Sequence, residues 1–563
     1  MTPLQARPIV EALLQRIEAL PGEWPMTGGT LAVVSPHEVL AVSAFGRQIR
    51  GGQINVDNLF EIGSISKVFN AFMILKLVDD GLCDLDAPVT DYLPWFSVIS
   101  DFPPFTLRHL LHHTSGLVKG ADDPPDELCQ CWALRDTQTG SAPGTFFHYS
   151  NAGYLLLGLV IKSVTGMAAP DFCRQHLLAP LGMDSTVPRI INADRPRFAV
   201  GTCPERDDQP WLPGDGLAPA TWFETETTDG NVASTASDMG MFMRMLLGDG
   251  TVDGSTVFPP SLLRRMTGDL AVGGEPFTSG FGAKRVTDSR YGLGINVEQV
   301  EGHTCLTHGG GMVGYSSFLM VDVTAGIGIC VLTNANGCYP VGQVIARLGH
   351  AMLTSPDLNT PALGLDLRPD DVLFDPDMLG TFVTTSSTTT DTRLSVAQHR
   401  GRLVFSSNGK HAQIYRDWGS RLGTNHPDFR RFHLRFLKNS TQCQWIYGDM
   451  TFRRDDAANK SCEPHIHSYA TQHLGIHVGR YRSYTPWFPT FRIVLRSGRL
   501  YLIAPGGVEA SDEEEELVEV GPGEFRIGAD ERLPERLIMG PVVDGRTISA
   551  FRDGCRYSRV STD

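Results

Sequence analysis

The chain has 563 residues, of which 41% are hydrophobic and 20% charged, and its formal net charge is −15. Because a single hydrophobic core stops growing near roughly 250–300 residues, this length predicts two or three domains. The composition is typical of a globular protein in water. The acidic balance argues against nucleic acid or an anionic membrane as the main partner, since both require a basic surface.

The first twenty residues predict an amphipathic helix rather than an export signal. Apolar residues recur there at helical spacing, interrupted by polar residues such as Glu11 and Arg16. An export signal needs an unbroken apolar stretch of about 7–15 residues, and no apolar run in the chain approaches the ~18 residues that span a bilayer. We therefore expect a cytoplasmic protein that makes no membrane contact.

The eleven cysteines are scattered and odd in number, which fits a reducing compartment better than a disulfide framework. Cys129 and Cys131 form a C-x-C pair, but no second Cys or His pair lies near them at zinc-site spacing. We expect neither a metal nor a cofactor.

Strand and helix patterns alternate along the first 355 residues. Residues 28–47 predict a β-hairpin, and a long apolar helix starts near Ser64 and ends at Gly81. Three more helical patterns and a last pair of strands follow, at 106–116, at 151–166, from about 237, and at 315–334. Strands at both ends with helices between them predict an α/β or α+β domain whose sheet takes its edges from distant sequence.

The C-terminal part changes character. Residues 356–372 are rich in Pro, Asp and Leu without a period and predict a linker. Short β-like segments follow, and the stretches that begin at Gly380 and Gly479 echo each other, each with a strand and a Gly-Arg-Leu turn. The echo predicts two small antiparallel β-barrels, at 373–460 and 461–563. One irregular β domain is the alternative.

The segment FEIGSISKVFNAF holds the first candidates for chemistry. Ser64 and Lys67 are three residues apart at a helix start, so their side chains share one face. A serine hydroxyl needs a nearby base, and a partly buried lysine with a lowered pKa can serve. The spacing alone is weak, because Ser407 and Lys410 repeat it in a predicted hairpin turn. By itself the spacing is equally typical of a serine that starts a helix and a lysine that is exposed to solvent.

Two other segments supply polar groups. Tyr149 and Asn151 flank Ser150 just before an apolar helix. The tyrosine can relay protons if a cation lowers its pKa, and the asparagine can hold a substrate amide or the lysine. His308 precedes three glycines, where a ligand can approach the backbone and an exposed N–H can complete an oxyanion hole. Taken singly, these segments also fit a helix cap and a glycine-rich turn.

In this order, Ser64-x-x-Lys67, Tyr149-x-Asn151 and His308-Gly309-Gly310 resemble the S-x-x-K, Y-x-N and K-T-G or H-x-G motifs of serine β-lactamases and penicillin-binding proteins. The resemblance covers about residues 8–355 and is closest to class C β-lactamases and their esterase and peptidase relatives. It implies an α+β fold, with an antiparallel sheet flanked by helices and a helical subdomain inserted between strands that are distant in sequence.

The resemblance also implies roles for single residues. Ser64 corresponds to the acylated nucleophile, and Lys67 and Tyr149 to the pair that moves protons, with the true base left open. The backbone N–H groups of Ser64 and Gly311 correspond to the oxyanion hole. The implied substrate contacts are Asn151, His308, Gly310 and Gly311.

His308 departs from the pattern of β-lactamases and cell-wall carboxypeptidases, which usually carry lysine there. Histidine is only partly charged near pH 7, so tight recognition of a free carboxylate is not expected. Relatives with histidine include D-aminopeptidases, esterases and penicillin-binding-protein-like thioesterases. Two C-terminal barrels resemble the D-aminopeptidases, in which a loop of the last barrel reaches the active site. Residues 506–524 are the candidate loop, with a solvated acidic hairpin as the alternative.

We therefore expect a serine hydrolase that cleaves a small amide or ester, in the first place a D-aminopeptidase or amidase. One alternative is an esterase, or a thioesterase or transacylase that releases or cyclises peptides. A catalytically idle ligand-binding module is the alternative from another class. The expected partner is a small molecule or short peptide, and a homo-oligomer is compatible with the sequence.

Overall fold

The structure is a computed structural model, and it describes residues 1–19, 22–120, 126–275, 286–354, 375–384, 392–416, 421–438, 443–455, 469–511 and 513–560. The predicted linker at 356–372 and the predicted boundary at 460 lie outside the described residues. The domain limits at those points therefore stay predictions.

A seven-stranded antiparallel sheet forms the centre of the N-terminal domain, as far as the chain is described. In chain order its strands are β1 Gly28–Val34, β2 Val39–Gly46, β3 Val286–Tyr291, β4 Asn296–Val300, β5 His303–Met312, β6 Tyr315–Asp322 and β7 Ile327–Thr333. Their order across the sheet is β2-β1-β7-β6-β5-β4-β3. The pairing of β1 with β7 joins the two ends of the domain sequence. This confirms the predicted sheet built from distant strands.

Helices cover both faces of this sheet. Successive strand residues point to opposite sides, so a strand that is apolar throughout places apolar side chains on both faces. Leu31 and Val33 belong to the core under the first and last helices, whereas Ala32 and Val34 belong to the core on the other side. The helices of the domain are Pro3–Glu18, Ser66–Asp79, Val89–Tyr92, Leu107–Leu111, Glu127–Ala133, Asn151–Thr165, Ala169–Cys173, Ala179–Leu181, Ala236–Leu247, Pro260–Gly268 and Val341–Thr354.

The helix Ser66–Asp79 is mostly apolar and is buried along most of its length, as expected for a helix in the middle of a domain. A single 3-10 turn, Gly63–Ile65, precedes it, and the chain turns away at Gly81 with φ +72°. Lys67 is fully buried in its first turn. The fold therefore fixes Ser64 at the N-terminal end of a rigid, central element.

Asn151–Thr165 is the second helix that positions polar groups. Its N-terminus is capped by Ser150, whose side chain accepts a hydrogen bond from the Gly153 N–H, and Gly166 ends it with φ +71°. Among the described helices, no single one is long and apolar enough to cross a membrane. Asn151–Thr165 and Ala169–Leu181 meet that test of length and composition only as a pair, across a bend of 77°.

The C-terminal region forms two barrel-like antiparallel sheets, which confirms the predicted pair of β units. Within the described residues each sheet has eight strands, and the second is a closed barrel. An isolated bridge between Leu422 and Leu434 joins the edges of the first. The strands of the first sheet are Gly380–Thr384, Arg393–His399, Arg402–Ser407, Lys410–Arg416, Leu422–Thr424, Arg435–Lys438, Cys443–Tyr447 and Met450–Arg454. Those of the second are Gly479–Arg482, Thr490–Arg496, Arg499–Ile503, Glu515–Gly521, Glu524–Ile527, Arg536–Met539, Ser549–Arg552 and Cys555–Arg559.

The sequence echo corresponds to a structural one. Gly380 and Gly479 each open the first strand of their sheet. The second and third strands of each sheet are joined by tight turns at Arg400-Gly401 and Ser497-Gly498, in which both residues have positive φ. Such turns match the right-handed twist of the flanking strands.

Candidate active site

Ser64 and Lys67 contact each other directly. The Lys67 Nζ donates to the Ser64 Oγ at 2.9 Å and to the Asp229 carbonyl oxygen at 2.8 Å. The ammonium also lies 5.1 Å from the ring centre of Tyr149 and 5.6 Å from that of Tyr154. The lysine is therefore held between fixed dipoles and two aromatic rings, aimed at the serine.

Burial sets the protonation of Lys67. It lowers the pKa of the amine to about 8, although the negative charges of Asp229 and Glu509 act in the opposite direction. A buried amine with such a pKa is neutral in a useful fraction of molecules near neutral pH. It can then accept a proton from the Ser64 hydroxyl.

The Tyr149 hydroxyl oxygen is buried and has no hydrogen-bond partner among the described residues. Burial, and then the nearby Glu275 carboxylate, raise the pKa of Tyr149 well above its ordinary value, and the adjacent Ser64 hydroxyl lowers it only in part. The predicted lowering of the Tyr149 pKa is therefore wrong for this structure, because burial raises that pKa. Tyr149 is present as a neutral phenol, which can donate a proton.

His113, which the sequence argument missed, holds Tyr149 in place. Its ring stacks on the tyrosine with ring centres 4.1 Å apart, and its Nδ1 accepts the Ser150 N–H at 3.0 Å. Burial lowers the pKa of His113 well below its ordinary value, so the ring is neutral. In the sequence it lies in the helical pattern at 106–116, which gave no sign of this role.

Strand β5 lies directly against the turn that carries Ser64. A Cβ built on Gly310 would overlap the carbonyl oxygen of Ile62, and one built on Gly63 would lie 2.8 Å from the Gly311 nitrogen. Gly63 also has φ +54°, a conformation that favours glycine. This contact brings the Gly311 backbone close to Ser64, where both N–H groups were predicted to act.

We expect Gly310→Ala to displace β5 from the Ser64 turn. Overpacking of this kind costs about 1–3 kcal/mol, so both the unfolding temperature and kcat/KM should fall. Gly309→Ala is the matched control, because a Cβ there meets only the Phe318 ring at an ordinary 3.8 Å. Equal losses in both variants, measured by thermal unfolding and steady-state kinetics, would contradict the close-contact argument.

His308 is placed differently from the prediction. It is fully buried, its Nε2 lies 2.8 Å from the Tyr291 hydroxyl and its Nδ1 lies 2.7 Å from the Gly309 carbonyl oxygen. Burial lowers the pKa of His308 to about 3, so the ring is neutral. It lines neither of the cavities beside Ser64. His308 therefore lies behind the residues that line the site, and the prediction that it contacts substrate is wrong for this structure.

Ser64 lies between two cavities. The larger, of about 1070 Å³, lies between the N-terminal domain and the second barrel, and the smaller has about 360 Å³. Four residues line both: Ser64, Asn151, Gly311 and Glu509. The larger cavity adds Phe223, Asp229, Arg482, Tyr484 and Trp487, and the smaller adds Lys119, Tyr149, Glu275 and Gly310. Ser64 therefore borders a separate space on each side.

Glu509 of the second barrel reaches into the site. Its carboxylate lies 2.6 Å from the Lys119 Nζ and accepts the Asn151 Nδ2–H at 3.3 Å. Burial alone would raise the pKa of Glu509, but Lys119 holds it below its ordinary value, so the carboxylate is ionised. The predicted loop is shorter than 506–524, since Glu515–Gly521 and Glu524–Ile527 are strands. Residue 512 lies outside the described part.

A second contact fixes the barrel on the N-terminal domain. Glu535 accepts the Lys119 backbone N–H at 3.0 Å, and its carboxylate lies 2.7 Å from the His148 Nε2. Arg532 lies over the Phe146 ring at 4.0 Å. Because His148 directly precedes Tyr149 and Lys119 pairs with Glu509, the same interface that docks the barrel also orders the site.

Sequence comparison finds relatives that carry several hydrolase names. Penicillin-binding protein 4 of Amycolatopsis lactamdurans is 30% identical over 57% of this chain and 84% of its own length. A D-aminopeptidase of Gluconobacter oxydans is 25% identical over 63% of this chain and 62% of its own length. Esterase EstB of Burkholderia gladioli is 35% identical over 32% of this chain and 51% of its own length. These relatives support a hydrolase.

Solved structures share the fold. An octameric penicillin-binding protein homologue from Pyrococcus abyssi superposes with a TM-score of 0.56 at 20% identity, over 79% of this chain and 99% of its own. The D-amino acid amidase of Ochrobactrum anthropi gives a TM-score of 0.51 at 24% identity, over 62% of this chain and 100% of its own. The family model described as Beta-lactamase matches residues 13–351, more than half of the chain. The chain belongs to the beta-lactamase family.

Proposed function

We propose that this protein is a serine hydrolase that forms an acyl-enzyme on Ser64 and cleaves short amides with a free amino group, of the D-amino acid amide or D-aminopeptide class. The observation that carries the proposal is the 2.9 Å contact between Ser64 and the buried Lys67. The choice of substrate is supported by Glu509, an ionised carboxylate beside the serine.

In the proposed reaction, the neutral Lys67 amine takes the Ser64 proton while the Oγ attacks the amide carbonyl carbon. The backbone N–H groups of Ser64 and Gly311 stabilise the resulting oxyanion. The Tyr149 hydroxyl donates its proton to the leaving amine nitrogen as the C–N bond breaks, and is reprotonated from Lys67. Water then attacks the ester, its proton passes back through the same groups, and Ser64 is regenerated.

The charges at the site favour an ammonium over a carboxylate on the substrate. Asp229, Glu509 and Glu275 all raise the pKa of Lys67, and Lys119 lowers it, so the acidic groups around the lysine outnumber the cation, which supports a negative potential there. His308 stands where relatives that bind carboxylates usually have lysine, and here it is neutral and buried. A free amino group beside Glu509 gains attraction that a substrate carboxylate does not.

The proposal is tested with four chromogenic substrates: D-alanine p-nitroanilide, its L enantiomer, the N-acetylated D form and p-nitrophenyl acetate. We expect the free D form to have the highest kcat/KM of the three anilides. Equal turnover of the two enantiomers contradicts D-selectivity. Hydrolysis of the ester alone contradicts the amidase assignment but not the serine mechanism.

We expect Glu509→Gln to raise KM for D-alanine p-nitroanilide about tenfold, which corresponds to ~1.4 kcal/mol of lost binding. The amide keeps the shape and removes the charge, so kcat and the N-acetylated substrate should change little. Glu513→Gln is the matched control, since Glu513 belongs to the same acidic segment and is exposed. A similar rise in KM for the acetylated substrate would show that Glu509 acts on packing rather than on the ammonium.

An esterase or transacylase is the second candidate, and the cavity of about 1070 Å³ favours it, because that space exceeds what a single amino acid amide fills. An amine acceptor in place of water would give ligation rather than hydrolysis. Adding a free D-amino acid amide to the ester assay and detecting the condensed product by mass distinguishes the two. A cytoplasmic location and a homo-oligomer stay predictions, and the octameric Pyrococcus abyssi structure is a precedent for the second.

A further inference from the structure

Three buried side chains with metal-binding atoms meet on the sheet face opposite the active-site helix, and His303 lies beside them against Asp322. His303 and Cys305 are two apart on β5 and therefore point to the same face. Asp322, at the end of β6, is the cross-strand partner of Cys305, and His350 approaches from the last helix of the domain. Cys305, Asp322 and His350 are buried, and one ligand atom of each lies within 4.8 Å of the others.

The contacts converge on one oxygen. The His303 Nδ1 and the His350 Nε2 lie 2.7 Å and 2.8 Å from the same Oδ2 of Asp322. The other carboxylate oxygen is occupied separately, because it accepts the backbone N–H groups of Thr324 and Ala325 at 3.0 Å and 2.8 Å. The turn after β6 therefore orients the carboxylate from behind, as outer hydrogen bonds do for metal ligands.

We propose that His303 Nδ1, Cys305 Sγ, Asp322 Oδ2 and His350 Nε2 bind one zinc-like divalent ion in a structural site. A thiolate, two imidazoles and a carboxylate form a ligand set that zinc favours, and four protein ligands leave no open position for chemistry. The ion would fasten the last helix of the domain to β5 and β6. This proposal is independent of the function proposed for Ser64.

Size and access fit such an ion. Ligand atoms at about 2.0–2.3 Å from a tetrahedral ion lie roughly 3.3–3.7 Å apart, so the two imidazole–carboxylate contacts need to widen by less than an ångström. The His303 side chain is 35% exposed and gives the ion a route from solvent. Binding releases the thiol proton of Cys305 to solvent, while both imidazoles bind through neutral nitrogens. No short motif marks the site, because its ligands come from two strands and a helix.

The test uses the full chain, stripped with a chelator and then loaded with zinc or cobalt. We expect one ion per chain by elemental analysis, a higher unfolding temperature with zinc, and a cobalt spectrum with tetrahedral ligand-field bands and a thiolate-to-cobalt charge-transfer band. Cys305→Ser should lose the charge-transfer band. Cys129→Ser, which changes an exposed cysteine of the C-x-C pair, should retain it.

Three results would overturn the site. They are a wild-type chain that takes up no stoichiometric zinc or cobalt, a cobalt complex without the thiolate band, and a thiolate band that survives in Cys305→Ser. The first two are read on the wild-type protein, so a variant that fails to fold does not obscure the answer.

Discussion

Ser64→Ala is expected to lower kcat/KM for amide and ester substrates by about 10³-fold or more, since loss of a nucleophile in a serine enzyme leaves only what the oxyanion hole and substrate binding supply. The change removes one oxygen atom and little packing. Lys67 keeps a partner, since its hydrogen bond to the Asp229 carbonyl oxygen at 2.8 Å does not involve Ser64. The unfolding temperature should therefore stay near that of the wild type.

The same variant is tested by covalent labelling. A fluorophosphonate or β-lactam probe should add one adduct to the wild type, located on Ser64 by peptide mass, and none to Ser64→Ala. The chain supplies its own control in Ser407, the other serine with lysine three residues on. Its Oγ donates to the Arg393 carbonyl oxygen, and Lys410 pairs with Asp428. Labelling that persists in Ser64→Ala and disappears in Ser407→Ala would refute the assignment.

The sequence predicted much of the fold because its patterns are local. The apolar helix after Ser64, the hairpin at 28–47 and the two echoing turns at Gly401 and Gly498 are specified by nearby residues and fold as expected. The order of the three short motifs was enough to predict that Ser64, Lys67 and Tyr149 lie together, as they do.

Features that depend on burial or on long-range docking could not be read from the sequence. His308 was predicted to contact substrate, because the sequence does not reveal that Tyr291 covers it. Tyr149 was expected to have a lowered pKa, but full burial reverses the direction. Glu509 lies more than 350 residues along the chain from its partner Asn151, and only the docked barrel shows which carboxylate of the acidic segment reaches the serine.

Lys67→Met is expected to lower kcat by about 10²–10⁴-fold, the usual contribution of a positioned general base. Methionine fills nearly the same buried space without the amine, so folding should survive. In the wild type, kcat/KM should rise with pH through about 8, the pKa to which burial lowers Lys67. The sign follows because only the neutral amine accepts the Ser64 proton, and the amine is protonated at lower pH.

The position of that rise also decides between the two candidate bases. If the Tyr149 phenolate were the base, activity would rise only far above pH 8, since burial raises the pKa of Tyr149 well above its ordinary value. Lys76→Met serves as the control, because Lys76 lies on the same helix as Lys67, pairs with Asp80 at 2.9 Å and lines neither cavity beside Ser64. It should keep the rising limb and most of kcat. A wild-type profile that passes pH 8 without levelling and is still rising above pH 9, together with an active Lys67→Met, would remove the lysine from the mechanism and leave Tyr149 as the base.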